Sequence, residues 1–225
     1  MTAPVEVVNF GCRLNAAESQ AIRALAEGRL ARRTFILNTC AVTAAAERDA
    51  RRLARRLKRL NPDADIVVTG CAAQRDAAAF AAMPEVARVL GNAEKLDPGT
   101  WSGPAARARV EVGDVMAPAA FRDPGAGARP SGTRAVVDAQ QGCDRRCTFC
   151  IIPFTRGPSR SQPLGALVDR VAALAREGVG EVVLSGIDLA SWGRDLPGRP
   201  SLGRALRRML ALVPALQRGH EGEHP

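Results

Sequence analysis

The chain has no tyrosine, two tryptophans, two lysines and two histidines among its 225 residues. Both histidines, His220 and His224, fall in a polar tail. The body of the sequence therefore offers no imidazole to act as a general base or to ligate a metal. Long apolar runs are missing too: none approaches the roughly 18 residues needed to cross a bilayer. The opening MTAPVEVVNFG has neither the basic n-region nor the apolar h-region of a secretory signal. No membrane association is expected, and the expected location is cytoplasmic, where thiols stay reduced. With lysine confined to Lys58 and Lys95, the formal net charge of +9 rests on arginine. Arginine pairs bidentately with phosphate and stacks on bases, which suits an RNA partner, although an Arg- and Ala-heavy composition also follows from coding bias.

What is present is a globular composition, 46% hydrophobic, and six cysteines in two unlike trios. Cys143, Cys147 and Cys150 crowd into one short loop, whereas Cys12, Cys40 and Cys71 are widely spread. Iron–sulfur clusters take thiolate ligands, and a trio leaves one cluster iron open to a reactive group. Two such sites in one chain point to an enzyme.

The first ninety or so residues alternate strand, turn and helix. Val5 to Phe10 reads as a strand ending at Gly11-Cys12, followed by a helical pattern from Asn15 to about Glu27 and a stop at Gly28. Thr34 to Asn38 is the next strand, ending at Thr39-Cys40. Thr43 can cap a long Ala/Arg helix to Leu60, which Asn61-Pro62 breaks. Asp65 to Thr69 ends at Gly70-Cys71, and Val86 to Leu90 is a fourth strand. This alternation predicts an α/β fold with an open parallel sheet over residues 1–96. Ligands of such sheets bind beyond the carboxyl ends of the strands, where each of these cysteines sits. Three remote thiols then converge; the alternative is three unrelated small core residues.

Residues 97–132, rich in Pro, Gly, Ala and Arg, read as a linker with one possible strand from Ala108 to Val112. A second α/β pattern occupies 133–225. It has a strand Arg134 to Asp138, the cysteine loop, a helix Pro163 to Glu177, a strand Glu181 to Leu184 and a helix Leu202 to Leu212.

The compact trio has the spacing C-x3-C-x2-C, with Phe149 before the third cysteine. Zinc also takes closely spaced thiolates, but a structural zinc site wants a fourth ligand, and none lies nearby unless Cys71 is brought over by folding. The loop resembles the radical S-adenosylmethionine (SAM) signature. The segments Gly11-Cys12-Arg13-Leu14-Asn15 with Glu18-Ser19, Asn38-Thr39-Cys40-Ala41-Val42-Thr43 and Thr69-Gly70-Cys71-Ala72-Ala73-Gln74 resemble, in order, the N-terminal domain of radical-SAM methylthiotransferases. Ile151-Ile152-Pro153-Phe154-Thr155-Arg156-Gly157 and Ser185-Gly186-Ile187-Asp188-Leu189 look like the segments around that family's SAM pocket. The likeness runs from residue 5 to 213.

The resemblance implies two [4Fe–4S] clusters. Cys143, Cys147 and Cys150 would hold the one that cleaves S-adenosylmethionine to a 5′-deoxyadenosyl radical. Cys12, Cys40 and Cys71 would hold an auxiliary cluster carrying the sulfur to be inserted. Phe149, Ser185, Gly186 and Asp188 would contact SAM, and a reductant protein such as flavodoxin or ferredoxin would supply electrons. Gly-Cys-Arg-Leu-Asn resembles the members acting on N6-threonylcarbamoyladenosine beside the tRNA anticodon (the MtaB type). Isopentenyladenosine enzymes tend to carry Gln-Met after this cysteine, and those modifying a ribosomal protein Pro-Lys.

Other residues admit two readings. Arg48, Arg51, Arg52, Arg55, Arg56, Lys58 and Arg59 form a cationic helix face with Leu53, Leu57 and Leu60 as its buried stripe; a solvated face is the default over tRNA contact. Arg145 with Arg146, and Arg156 with Arg160, offset cluster or substrate charge or are loop surface. Asp188 is equally a turn former, and Trp101 and Trp192 pack or stack on a base. A closed β/α barrel needs about 250 residues. Only its opening part is expected here, with the C-terminal RNA-binding domain absent and a complementing polypeptide required for full activity. The alternative is a non-catalytic iron–sulfur protein of the same descent.

Overall fold

The computed structural model describes residues 3–102, 108–117, 121–124 and 133–213. The polar tail with His220 and His224 lies outside them. Five strands form the first sheet: β1 (Val5–Asn9), β2 (Thr34–Thr39), β3 (Asp65–Gly70), β4 (Arg88–Leu90) and β5 (Val110–Glu111). They lie in sequence order and all run parallel. The helices between them are α1 (Arg13–Ala26), α2 (Ala44–Leu60), α3 (Cys71–Arg75), α4 (Ala77–Ala81) and α5 (Pro98–Trp101).

Both faces of this sheet are covered, so β2 and β3 are apolar almost without interruption. Side chains alternate: Phe35, Leu37, Ile66 and Val68 share a core with Ala54 of α2 and Phe80 of α4, while Ile36 and Val67 share another with Ile22 and Ala26 of α1 and Trp101 of α5. Each buried Ile, Leu or Phe contributes about 1.5–3 kcal/mol relative to exposure. Thr43 caps α2, its Oγ1 accepting from the Ala46 amide at 3.2 Å. Leu53 and Leu57 pack against the core, but Leu60, expected in the same stripe, is 63% exposed. As the last residue of α2 it stands past the core that the two preceding leucines reach. Arg48, Arg52, Arg55, Arg56 and Arg59 are exposed, and Arg51 lies over the Phe80 ring at 4.2 Å.

Part of the stretch expected as a linker is built into this first unit. Trp101 is 2% exposed and its indole Nε1 donates to the Lys95 carbonyl at 2.9 Å. β5 then adds a strand beside β4. The possible strand from Ala108 to Val112 is thus present as β5, and one tryptophan with a two-residue ladder attaches this stretch to the first unit.

The second unit contains β6 (Arg134–Gln141), α6 (Ile152–Arg156), β7 (Arg160–Ser161), α7 (Leu164–Arg176), β8 (Glu181–Gly186) and α8 (Leu202–Leu212). Its sheet order is β7-β6-β8, with β6 and β8 parallel and β7 antiparallel. Ala135, Val137 and Ala139 face a core made with Leu167, Val171 and Leu174 of α7, Met209 of α8 and Trp192, itself 2% exposed. Both tryptophans therefore pack. Among the described residues the outer edge of β8 has no strand partner, and α8 leaves Leu206 and Leu210 exposed. The turns α6 and β7 escaped the sequence reading because elements this short carry no periodicity.

Candidate functional site

The parallel register decides where the spaced cysteines fall. Asn9 pairs with Asn38 and Asn38 with Thr69, while Thr39 pairs with Gly70. Cys40 and Cys71 thus follow directly after paired residues of adjacent strands, which lie about 4.8 Å apart, and Cys12 follows the end of the next strand over. All three stand at the carboxyl edge of the sheet, as expected. Gly70 makes the exit of β3 possible. Its φ is +93°, and a Cβ there would sit 2.4 Å from the Thr39 carbonyl oxygen.

Polar groups surround these sulfurs. The Val42 amide points at Cys40 Sγ at 3.4 Å, and Asn92 Nδ2 at Cys71 Sγ at 3.7 Å. Cys12 Sγ faces Asn15 Oδ1 at 3.9 Å. Cys71 is buried, Cys40 half-buried and Cys12 exposed.

The compact trio lies in an extended loop after β6, anchored at both ends. Gly142 has φ +67° and lies so close to the Pro158 carbonyl that a Cβ would meet it at 1.9 Å. The Cys143 amide donates to the Gly157 carbonyl at 3.0 Å, and the Cys150 amide to the Cys147 carbonyl at 3.0 Å. Buried Gln140 ties the loop down from below, its Nε2 donating to the carbonyls of Gln141 and Gly142 and to Ser159 Oγ. Its Oε1 accepts from the Asp188 amide at 2.7 Å. The Asp188 carboxylate accepts from Ser191 Oγ at 2.7 Å and from Arg145 Nε at 3.0 Å. Those contacts, the serine hydrogen bond foremost, hold its pKa below the ordinary carboxylate value. Asp188 is thus joined to the cysteine loop. Ser185 and Gly186 end β8 opposite Asp138 and Gln140, half-buried. Phe149 is 91% exposed, and Arg146 lies over the Phe154 ring at 5.6 Å.

The two cysteine regions meet through buried charge. Arg156, at the end of α6, is 5% exposed, which rules out the loop-surface reading. Its Nη1 and Nη2 donate to the two carboxylate oxygens of Glu18 in α1, at 2.7 and 3.0 Å, and Nη2 also reaches Asn15 Oδ1 at 2.5 Å. Lys95, fully buried, donates to Glu18 Oε2 and Asn92 Oδ1, both at 2.7 Å, and to Asn38 Oδ1 at 3.4 Å. Burial alone would raise the Glu18 pKa, but the charges of Arg156 and Lys95 outweigh it and bring it down to about 2. Arg156 and Lys95 against Glu18 make a formal surplus of one positive charge beside Cys71, while burial draws the Lys95 pKa down against the pull of Glu18. Ile151, following Cys150, packs on the core that contains Cys71.

Among the described residues no three His, Cys, Asp or Glu side chains come close enough together to hold one metal ion. A [4Fe–4S] cluster takes each thiolate on a different iron, and cysteine thiolates are the donor type it needs. Amides facing Cys40 and Cys71, with surplus positive charge behind them, fit an anionic thiolate-bound cluster.

Residues 4–91 match the description "Uncharacterized protein family UPF0004". The chain is 42% identical over 213 residues to the threonylcarbamoyladenosine tRNA methylthiotransferase MtaB of Rickettsia prowazekii, covering 95% of this chain and 50% of that protein. It belongs to the methylthiotransferase family. Methylthiotransferases named for other substrates also match. The ribosomal protein uS12 methylthiotransferase RimO of Anaeromyxobacter sp. is 34% identical over 92% of this chain and 46% of its own. The tRNA-2-methylthio-N(6)-dimethylallyladenosine synthase of Nitratidesulfovibrio vulgaris is 31% identical over 94% and 50%. The chain spans about half the length of the curated relatives it matches. No helix among its described residues is long and apolar enough to cross a membrane.

Four residues around the cysteines were not singled out in the sequence as functional. Lys95 entered only in the lysine count, Asn92 not at all, and Glu18 only as part of a motif. Asp138 was read only as the end of a strand. It is 1% exposed and one carboxylate oxygen has no partner among the described residues; burial raises its pKa to about 7 despite a hydrogen bond from Gln141. A cavity of about 210 Å³ is lined in part by Glu18, Asn92, Arg122, Gln141, Arg156 and Arg160.

Proposed function

We propose that this chain provides the two cysteine sites of a radical-SAM methylthiotransferase that modifies N6-threonylcarbamoyladenosine beside the tRNA anticodon. The observation that carries the reading is the sheet register, which sets Cys12, Cys40 and Cys71 on one edge, bridged by Arg156 to the loop of Cys143, Cys147 and Cys150. Cys12, Cys40 and Cys71 would hold an auxiliary [4Fe–4S] cluster, and Cys143, Cys147 and Cys150 a second. When bound, these groups supply the sulfur to be inserted and the electron that cleaves S-adenosylmethionine.

The protein's own part is positioning. Gln140 and Gly142 fix the start of the cysteine loop, and Arg145 with Asp188 ties it to the end of β8. Asp188, Ser185 and Gly186 would then orient SAM, with Phe149 free to close over it from its exposed position. Holding the sites together replaces an improbable encounter by a fixed one. The surplus of arginine supports a tRNA substrate, and a flavodoxin- or ferredoxin-type protein would deliver electrons.

The unpaired edge of β8 and the exposed Leu206 and Leu210 support a further requirement. The remaining strands of the barrel would pack there, whether from the same polypeptide or a complementing one. The test is anaerobic reconstitution followed by assay for deoxyadenosine and for methylthio-modified tRNA. Deoxyadenosine that depends on Cys143, Cys147 and Cys150 supports the enzyme. A chain that takes up one cluster and never cleaves SAM, even when supplied with the C-terminal half of a relative, is instead a non-catalytic iron–sulfur protein.

A further inference from the structure

Asn92 touches the Cys71 sulfur, the buried Lys95 and a backbone carbonyl of the second unit at once. Its orientation is set by hydrogen-bond arithmetic. Lys95 has only donors, and its three protons are all used, on Glu18 Oε2, Asn92 Oδ1 and Asn38 Oδ1. The atom of Asn92 facing Lys95 must therefore be oxygen, which turns the amide nitrogen away from it. The two protons of Nδ2 are then committed as well: one goes to the Thr155 carbonyl of α6 at 2.7 Å, the other toward Cys71 Sγ at 3.7 Å. The Asn92 backbone amide is anchored separately, donating to Gln74 Oε1 at 2.8 Å. Every polar atom of the Asn92 side chain is thus committed, and its remaining N–H is directed at the sulfur.

We propose that Asn92 is a positioning residue for the auxiliary cluster, its amide held by Lys95 so that it donates to Cys71 and raises the reduction potential. The inference rests on the reading that Cys12, Cys40 and Cys71 bind a [4Fe–4S] cluster. One-electron reduction, by dithionite in the test below, adds a negative charge to the cluster and its thiolates. A donor on a ligating sulfur and a buried cation behind that donor stabilise the more negative state more than the oxidised one. Exposure of Cys12 leaves one side open to solvent, whereas the Cys71 side is dry, so the donor acts where the surroundings screen least.

The test uses the full chain with Cys143, Cys147 and Cys150 replaced by alanine and Trp192 by phenylalanine, so that only the first site can take a cluster and the emission comes from Trp101. Iron content, Trp101 fluorescence as a check on the fold, and an EPR-monitored titration are measured for this background, for Asn92→Ala and for Asn92→Asp. The amide is expected to be worth about tenfold in the reduction equilibrium, or about 59 mV for one electron. Asn92→Ala should titrate lower by about that amount, and Asn92→Asp, which sets a carboxylate against sulfur, lower still. Loss of iron in either variant with Trp101 fluorescence unchanged also supports the assignment, since the donor then helps to hold the ligand. If Asn92→Ala does not fold, Asn92→Asp, which keeps the Lys95 contact, decides alone. Equal potentials at full iron content would overturn the inference. A background chain that binds no iron overturns instead the ligand reading on which it stands.

Discussion

Replacing Arg156 by methionine should uncouple the two halves of this protein before it unfolds either one. The guanidinium is 5% exposed and makes three hydrogen bonds into α1, two to Glu18 and one to Asn15. Removing one member of a buried ion pair costs about 3–5 kcal/mol, because the partner is left charged in a dry site. Here Glu18 keeps Lys95 at 2.7 Å, so the lower end, about 3 kcal/mol, applies to Arg156→Met. Glu18→Gln leaves two buried cations facing each other without their anion, and about 5 kcal/mol is expected. Against a total stability of about 5–15 kcal/mol both losses are large. The two tryptophans make the uncoupling measurable, since Trp101 lies in the first unit and Trp192 in the second. With Trp192→Phe or Trp101→Phe as background, urea unfolding under reducing conditions reports each half alone. Their midpoints should coincide with Arg156 in place; in Arg156→Met the Trp192 signal should move to lower urea ahead of the Trp101 signal. The pH dependence has a definite sign. Glu18 ionises at about 2 in the folded chain against 4.5 ordinarily, so its contribution of about 3 kcal/mol is full above 4.5 and lost as pH falls toward 2. The penalty of Arg156→Met should shrink over that window. Unchanged midpoints in Arg156→Met, or a milder effect of Glu18→Gln than of Arg156→Met, would refute the reasoning.

Asp138→Asn should reverse a pH trend. Asp138 keeps its proton up to about 7 when folded but loses it near 3.8 when unfolded, so its stabilisation is full below 3.8 and falls by about 4 kcal/mol as pH rises to 7. The variant should gain on the parent chain at pH 8 and match it at pH 4 in urea titrations; parallel pH profiles would count against it. Gly70→Ala places a methyl against the Thr39 backbone at positive φ, and a loss of about 3 kcal/mol is expected by thermal unfolding. Leu206→Gln with Leu210→Gln should lower concentration-dependent self-association in sedimentation velocity without lowering the melting temperature, since both side chains are exposed.

The strands and the cysteine edge were legible in the sequence because each depends on local signals: apolar runs of strand length, a turn residue, then cysteine. The parallel register did the rest, and the spaced trio falls where alternating strands and helices put it. The buried ion network was not legible. A fully buried lysine runs against its type, and the contact of Arg156 with Glu18 joins residues far apart in the chain, so local pattern carries no trace of it. Trp101 was hidden for a related reason, because it folds a stretch of linker-like composition back beneath the first sheet. The unpartnered oxygen of Asp138 likewise follows from the packing of β6 and from nothing in its neighbours.

The most direct measurement is iron and acid-labile sulfide in the anaerobically reconstituted chain and in two variants, each with one trio changed to alanine. The account predicts about eight irons and eight sulfides in the parent and about four of each in either variant. Iron retained in full after removal of Cys12, Cys40 and Cys71, or zinc held in preference to iron, would contradict it.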